Sequence, residues 1–195
     1  MQIKEEAMNK AELRAHFDSM RQGLSAQYRQ KTDIEIISRF LCSEVYAKAE
    51  LLLTYVSVGA EVDTIGLINA AFANGKSVAV PKCMDGNTMD FYIIKSMDDL
   101  TKGKYGLLEP DVNKCKKAEV TEDTVCIVPA LSFDAKGHRL GMGGGYYDRF
   151  LKNFKGTSVG FCRSSFLRLN LPWQEHDVPV DIIVTEEFLR ILNQG

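Results

Sequence analysis

The sequence predicts an α/β fold, in which a largely parallel sheet lies between layers of helices (α/β/α) and residues 1–195 form a single domain. Three observations predict it. Short apolar runs typical of buried strands alternate with segments whose apolar residues recur at helical spacing. The sequence contains no internal repeat. Its 195 residues, of which 45% are hydrophobic, suffice for one sizeable core but hardly for two.

Two helices are predicted at the amino terminus. In the first, Asn9 is a suitable N-cap, and the apolar residues recur at helical spacing: Leu13, Phe17 and Met20. The second helix begins after Ser25 and ends near Ala47. Its predicted apolar face consists of Ile34, Ile37, Leu41 and Val45.

Strands and helices alternate along the rest of the chain. Apolar runs predict strands at 51–58, 76–81, 88–96, 124–134, 157–162 and 180–187. Pro81 is expected to end the second of these strands. Further helices are predicted at 64–75, at 146–154 and, as a short helix, at the carboxyl terminus. The charged segment 98–123 is predicted to be rich in loops.

Charge and cysteine content narrow the classes of function. A formal charge of −2 argues against a broad nucleic-acid-binding or membrane-binding surface, although a local cationic pocket is compatible with it. Five cysteines, an odd number with no CxxC pair, predict free thiols in a reducing compartment. We therefore expect a cytoplasmic protein, a monomer or weak dimer, with neither a signal peptide nor a membrane-spanning segment.

Four glycines lie within five residues, between a predicted buried strand and a predicted helix: Gly141, Gly143, Gly144 and Gly145. Glycines at this point allow backbone N–H groups to approach an anion closely, and the positive end of a helix adds to the attraction. The pattern therefore favours a phosphate site. The alternative is a tightly turned connection, because the lysine and serine that end a P-loop are missing.

Charged residues on either side of the glycines, and others near the amino terminus, suit phosphate chemistry. Arg139 carries a planar donor fork, and Asp148 could hold Mg²⁺ against a nucleotide. Lys10 and Arg14 share one face of the first helix. Each has a plainer alternative: Asp148 as an N-cap or first-turn acid, and the cations as solvated surface charges. Tyr147 continues a core stripe, so its ring is expected to pack.

Five stretches together resemble the 5-formyltetrahydrofolate cyclo-ligase family. The longest, "VPALSFDAKGHRLGMGGGYYDRFL", resembles the family's carboxyl-terminal signature. The others are similar to a Lys-x-x-x-Arg nucleotide clamp ("NKAELR"), a Glu-x-x-Thr substrate motif ("GAEVDT"), an aromatic-to-proline segment ("YGLLEP") and a closing strand ("HDVPVDIIVTEE"). The resemblance implies an ATP- and Mg²⁺-dependent conversion of 5-formyltetrahydrofolate to 5,10-methenyltetrahydrofolate.

The resemblance also implies a role for individual residues. Arg139 and Asp148 would be catalytic, and Asp148 and Asp181 would bind Mg²⁺. Glu61, Tyr105 and Tyr146 would bind the folate. The ATP-binding residues would be Lys10, Arg14, Arg139, Gly141, Met142, Gly143, Gly144, Gly145, Tyr146 and Tyr147.

Three of these positions carry a qualification. Certain relatives have lysine in place of Gly144, and tyrosine or arginine in place of Met142, so phosphate contacts there would come from the backbone or the amino-terminal clamp. Asp181 has an alternative as a strand-edge acid bonded to backbone amides.

Two other classes of function stay open. A non-catalytic module on the same fold could bind nucleotide or folate without turnover, because a fold does not fix a function. A sugar-phosphate enzyme on a related α/β scaffold would use the same anion-binding loop but would need neither Glu61 nor ATP.

Overall fold

The computed structural model describes residues 8–103 and 106–192. The described residues contain α-helices with these bounds: α1 Lys10–Gln22, α2 Ala26–Leu41, α3 Glu44–Lys48, α4 Ile65–Ala73 and α5 Tyr146–Leu151. Asn9 caps α1 in a capping box with Glu12, and Ser25 caps α2 through its side chain, so both predicted amino-terminal starts are confirmed.

The strands have these bounds: β1 Leu51–Leu53, β2 Ser77–Cys83, β3 Met89–Ile94, β4 Leu100–Lys102, β5 Leu108–Pro110, β6 Thr124–Val128, β7 Ser132–Asp134, β8 Arg139–Leu140, β9 Thr157–Phe161, β10 Leu167–Arg168, β11 Ile182–Val184 and β12 Leu189–Ile191. Seven of them form the central sheet, in the order β12-β11-β9-β6-β1-β2-β3. Its inner pairs are parallel, and both edge strands run antiparallel. The predicted largely parallel sheet is confirmed.

Helices cover both faces of this sheet. Successive residues of a strand point to opposite faces, so neighbouring residues of β1 belong to different cores. Leu52 belongs to a core that includes Ile36 of α2 and Leu67 of α4. Leu53, one residue further along β1, belongs to a second core that includes Phe17 of α1 and Leu151 of α5. The predicted α/β/α layering is thus confirmed. No helix in the described ranges is both long and apolar enough to span a membrane.

The second predicted helix is wrong in its length and in part of its face. It ends at Leu41, because Ser43 accepts a hydrogen bond from the Tyr46 N–H and caps the separate helix α3. Ile34 is 57% exposed, whereas Ile36 and Phe40 are fully buried. The apolar face of α2 is therefore wider than the face predicted from spacing, and it is rotated about the helix axis.

One strand prediction and one helix prediction are corrected. β2 continues through Pro81 to Cys83, since β1 pairs only with Ser77–Ala79 and the missing N–H of Pro81 breaks no bond to that neighbour. The predicted closing helix is wrong for residues 189–191, which form the edge strand β12. The Thr185 hydroxyl accepts hydrogen bonds from the N–H groups of Glu187 and Phe188 and turns the chain back along β11.

Candidate functional site

A cavity of about 410 Å³ opens at the carboxyl ends of β1, β2 and β6 and extends along the loop after β8. From β1 the chain continues to β2 on one side, and it later returns to β6 on the other side. Ligands of open α/β sheets bind at such a reversal of strand order. The volume is typical of a small-molecule site.

The glycine loop, residues 141–145, forms one wall of this cavity between β8 and α5. Gly143 and Gly145 have φ angles of 97° and 67°, a region that side chains other than glycine rarely adopt. A Cβ atom at Gly144 would come within 2.9 Å of the Tyr146 ring. The loop conformation therefore favours glycine at 143, 144 and 145, and its backbone is accessible to a ligand.

Helix α1 brings two of the predicted cations to the glycine loop. Leu13 and Phe17 anchor the helix in the core. Arg14 Nε donates to the Gly141 carbonyl at 2.8 Å, and Lys10 Nζ lies 2.5 Å from Asp177 Oδ2. Although burial of Asp177 opposes it, hydrogen bonds from Lys10 and from a backbone N–H lower the pKa of this carboxyl. Lys10 is thus held in an ion pair at the cavity.

Arg139 and Asp148 form a second ion pair at the cavity. Arg139 is 9% exposed, and its Nη2 lies 2.6 Å from Asp148 Oδ1, so it is not a surface charge. Arg139 Nη1 also donates to the Val178 carbonyl at 2.5 Å, while the Val178 N–H donates to Asp148 Oδ1 at 3.2 Å. The N-cap of α5 is Gly145, so the N-cap alternative for Asp148 is wrong, whereas its alternative as an acid in the first turn of the helix is confirmed. Asp148 Oδ2 has no hydrogen-bond partner within the described ranges.

Glu61 lies at the other end of the cavity, in the loop after β1. Its Oε2 accepts a hydrogen bond from the Val58 N–H at 2.9 Å. Burial raises the pKa of this carboxyl, against the effects of the Val58 N–H and of the charge on Arg21. Arg163, which follows β9, donates to the carbonyls of Ala60 and Glu61 at 3.1 and 3.3 Å and so holds the loop in place.

The predicted aromatic residues take different places. The Tyr147 ring packs in the core, as expected, and its hydroxyl is buried with no hydrogen-bond partner among residues 8–103 and 106–192. Burial raises the pKa of Tyr147 well above its usual value, so the hydroxyl stays neutral. Tyr146 donates to Asn87 Oδ1 at 3.3 Å, and Met142 is 70% exposed. Tyr105 lies outside the described residues.

Asp181 is not among the residues that line the cavity. Its Oδ2 accepts hydrogen bonds from Ser158 N–H at 2.8 Å and Ser158 Oγ at 2.6 Å, next to the amino ends of β9 and β11. This is the strand-edge alternative. The metal role of Asp181 stays a prediction that its location does not support, and the acids at the glycine loop are Asp148 and Asp177. In the part of the chain that is described, no cluster of three or more potential metal ligands occurs.

Three charged residues at the cavity were not predicted to belong to the site: Arg21, Arg163 and Asp177. Helical spacing places Arg21 on the same face of α1 as Lys10 and Arg14, but spacing alone assigned it no role in the site. Arg163 lies two residues after the end of the buried strand β9, where α/β proteins carry ligand-binding residues. Asp177 lies in an irregular loop, and only the structure reveals its pairing with Lys10.

Comparison with known proteins identifies relatives along nearly the whole chain. Residues 6–186 match the model of the 5-formyltetrahydrofolate cyclo-ligase family. A protein of that name from Haemophilus influenzae is 28% identical over 89% of this chain and 96% of its own, and one from Escherichia coli K12 is 28% identical over 85% and 93%.

Solved structures agree with these matches. The NMR structure of Aquifex aeolicus 5,10-methenyltetrahydrofolate synthetase superimposes with a TM-score of 0.85 and 34% identity, covering 96% of this chain and 95% of its own. A 5,10-methenyltetrahydrofolate synthetase from Mycoplasma pneumoniae gives 0.75 at 19% identity, covering 92% and 99%, which supports the fold alone.

Proposed function

The chain belongs to the 5-formyltetrahydrofolate cyclo-ligase family, and from this we propose that it converts 5-formyltetrahydrofolate and ATP to 5,10-methenyltetrahydrofolate, ADP and phosphate. The observation that carries the proposal is the cavity itself. It joins a glycine loop bordered by Lys10, Arg14 and Arg139 to an inner end that contains Glu61. A single ligand space thus borders both groups suited to phosphates and a group suited to a pterin.

The chemistry requires activation of an unreactive carbonyl. The formyl group on N5 is amide-like, so it is a poor electrophile and its oxygen is a poor leaving group. Transfer of the γ-phosphoryl group of ATP to that oxygen makes it a phosphate. N10 then attacks the formyl carbon, the C–O bond breaks, and N10 loses its proton, which leaves with the departing phosphate as the ring closes. The protein's task is to position both substrates and to stabilise charge.

At the outer end of the cavity, the loop backbone and three cations would bind the triphosphate. Arg14 is already fixed to the loop through the Gly141 carbonyl. Lys10 and Arg139 carry ion pairs with Asp177 and Asp148. The phosphates of ATP would therefore share these two cations with the carboxylates or displace the carboxylates. The negative charge of ATP would then meet cations that the protein already holds in position.

Asp148 fits the Mg²⁺ that this family's reaction implies. Its carboxylate lines the cavity, and Oδ2 is free of hydrogen bonds within the described residues. Mg²⁺ in nucleotide sites is usually bound through one or two carboxylates together with phosphate oxygens. Asp148 would hold the ion, which when bound neutralises part of the phosphate charge.

At the inner end, Glu61 would accept hydrogen bonds from N–H groups of the pterin. The buried Tyr147 hydroxyl has no hydrogen-bond partner among the described residues, so we assign it a hydrogen bond to the bound ligand. Tyr105 and Tyr146 remain proposed folate contacts, because flat rings suit stacking on a flat ligand.

The proposed site draws on residues from Lys10 to Asp177 of one chain, in keeping with a single cyclo-ligase domain that acts as a monomer or weak dimer. The five cysteines all lie within the described residues and form no disulfide bond with one another, which supports the proposed cytoplasmic location.

The deciding experiment is a turnover assay. Purified protein with 5-formyltetrahydrofolate, ATP and Mg²⁺ should produce the absorbance of the methenyl product, and omission of ATP or Mg²⁺ should abolish it. Tight binding of both substrates without any product would instead establish the non-catalytic module. Preference for a sugar phosphate over ATP in a competition assay would favour the third class.

A further inference from the structure

The inner end of the cavity continues into a recess of about 20 Å³, beyond the groups already assigned to the substrates. Arg21 and Glu61 line both the recess and the main cavity. Arg163 lines the recess as well, so two arginines lie near one carboxylate. They differ in how their donors are used.

Arg163 is well engaged by the protein. It is 3% exposed, and its guanidinium donates to the Thr32 hydroxyl, to the carbonyls of Ala60 and Glu61, and to Asp33 at 2.5 Å. These four hydrogen bonds use all three nitrogens and four of the five N–H donors, which explains the burial of Arg163. Its role is to position the Glu61 loop.

Arg21 is largely buried but poorly engaged. Its side chain is 12% exposed, and its Nε has no hydrogen-bond partner in the described part of the chain. Among residues 8–103 and 106–192 its hydrogen-bond partner is Asp18, at a long 3.4 Å from Nη2 and one turn back along α1. A buried guanidinium with unused donors is unfavourable in the free protein, and an acceptor oxygen in the cavity would satisfy it.

Glu61 provides the complementary half of a recognition site. An ionised carboxylate only accepts hydrogen bonds, and a guanidinium only donates them. One Glu61 oxygen takes the Val58 N–H, and no other hydrogen bond to this carboxylate is found within residues 8–103 and 106–192. The charge of Arg21 acts on the pKa of Glu61, so the two side chains are electrostatic neighbours. Together they present acceptors beside a donor.

A 2-amino-4-oxopyrimidine ring has the matching edge. Its 2-amino group and N3–H are adjacent donors, and its 4-oxo oxygen is an acceptor beside them. We propose that Arg21 is a specificity-determining residue that donates to the 4-oxo oxygen, while Glu61 accepts from the 2-amino group and N3–H. That this ring is the pterin of the folate rests on the proposed function. The preference for a ring edge with an acceptor beside two donors comes from Arg21 and Glu61 themselves.

The test compares two ligands: 5-formyltetrahydrofolate and its 4-amino-4-deoxy counterpart, which replaces the 4-oxo acceptor by an amino donor and also lacks the hydrogen on N3. Wild-type protein should bind the 4-oxo form about tenfold or more tightly, because an amino group faces Arg21 with donors only and N3 no longer donates to Glu61. Arg21→Met keeps the apolar stem and removes all donors. It should weaken binding of the 4-oxo form about ten- to hundredfold and change binding of the 4-amino form little, so that the preference shrinks to the part that Glu61 contributes.

Two matched variants keep the test interpretable. Asp18→Asn removes the partner of Arg21 on its own helix, and the ligand preference should persist. Arg21→Lys keeps a cation without the planar fork and should retain part of the preference. Calorimetric titration measures both ligands, and thermal unfolding verifies the fold of each variant. If Arg21→Met does not fold, the preference in Arg21→Lys decides: a preference equal to that of wild type overturns the assignment.

Other results would also overturn it: equal affinity of wild type for the two ligands, equal losses for both ligands in Arg21→Met, or a loss confined to ATP. Turnover of the wild type is measured in parallel. A selective protein without turnover would refute the proposed function and leave Arg21 assigned, whereas turnover without selectivity would refute only the role of Arg21.

Discussion

The two ends of the cavity differ in how far the protein satisfies its own polar groups. At the glycine loop, Lys10, Arg14 and Arg139 each hold a protein oxygen. At the inner end, Arg21 Nε and Tyr147 Oη are buried without a hydrogen-bond partner in the described residues. A ligand at the loop therefore exchanges contacts that already exist, whereas a ligand at the inner end supplies missing ones. Substitutions at the two ends should consequently have different signatures.

The largest expected effect is on stability, from Arg163→Met, because this one buried arginine makes four hydrogen bonds at the inner end. The substitution removes the partner of Asp33 and the donors that hold the Glu61 loop. Breaking a buried ion pair costs about 3–5 kcal/mol of the free energy of unfolding. Equilibrium urea denaturation measures this loss, and the KM for 5-formyltetrahydrofolate should rise with it.

The pH dependence of that loss identifies its cause. Burial raises the pKa of Asp33 above its usual value, against the charge of Arg163, and loss of Arg163 raises it further. A carboxyl with a higher pKa in the folded protein contributes less stability as the pH rises through the interval between its unfolded and folded pKa values. The deficit relative to wild type should shrink as the pH falls, and adding Asp33→Asn should recover part of it. If the loss of stability changes neither with pH nor on adding Asp33→Asn, it is due to packing alone.

At the outer end, the largest effect is expected on the rate. Asp148→Ala should lower kcat about 10²- to 10³-fold at saturating ATP and Mg²⁺, by analogy with the loss of a single group that stabilises charge in a transition state. Asp148→Asn is the matched variant, because an amide oxygen can still accept from Arg139 and the Val178 N–H. A large loss in both variants assigns the effect to the carboxylate charge, and wild-type rates in both would remove Asp148 from the mechanism.

The sequence predicted the outer end far better than the inner one, and the reason is locality. Helical spacing fixes Lys10 and Arg14 on one face of α1, and the order of strand, glycines and helix brings Arg139 and Asp148 to one loop. Family resemblance then connected these segments. The same local reasoning found the sheet and its layers, since periodicity reports which residues are buried.

Pairings between distant segments were beyond local reasoning. Lys10 bonds Asp177 across 167 positions, and Arg163 bonds Asp33 across 130. No spacing rule relates such residues, because only the folded sheet brings them together. The mistaken closing helix has a similar origin, since β12 exists through its pairing with β11 and residues 189–191 carry little preference of their own.

A smaller effect is expected from Lys10→Ala, because Lys10 exchanges one anionic partner for another when ATP binds. The KM for ATP should rise about fivefold to tenfold, and the KM for 5-formyltetrahydrofolate should change little. Asp177→Asn should act in the opposite direction and lower the KM for ATP, since it frees Lys10 from its ion pair. Steady-state kinetics with each substrate varied in turn tests both, and parallel increases for the two substrates in Lys10→Ala would contradict exchange of partners.

The smallest effect, and the sharpest contrast between the ends, is expected from Tyr147→Phe. Because its hydroxyl is buried with no hydrogen-bond partner in the described part of the chain, removing it should leave the free energy of unfolding unchanged or raise it by up to about 1 kcal/mol. At saturating ATP, kcat/KM for 5-formyltetrahydrofolate should nevertheless fall about three- to tenfold, because the ligand loses a donor. Tyr55→Phe is the matched variant: Tyr55 Oη already donates to the Val62 carbonyl at 3.2 Å, so its loss should lower the free energy of unfolding by about 1 kcal/mol. If Tyr147→Phe instead lowers the free energy of unfolding and keeps full kcat/KM, the hydroxyl stabilises the fold and does not bind the ligand. The polar groups at the inner end would then be satisfied by the protein, as those at the outer end are.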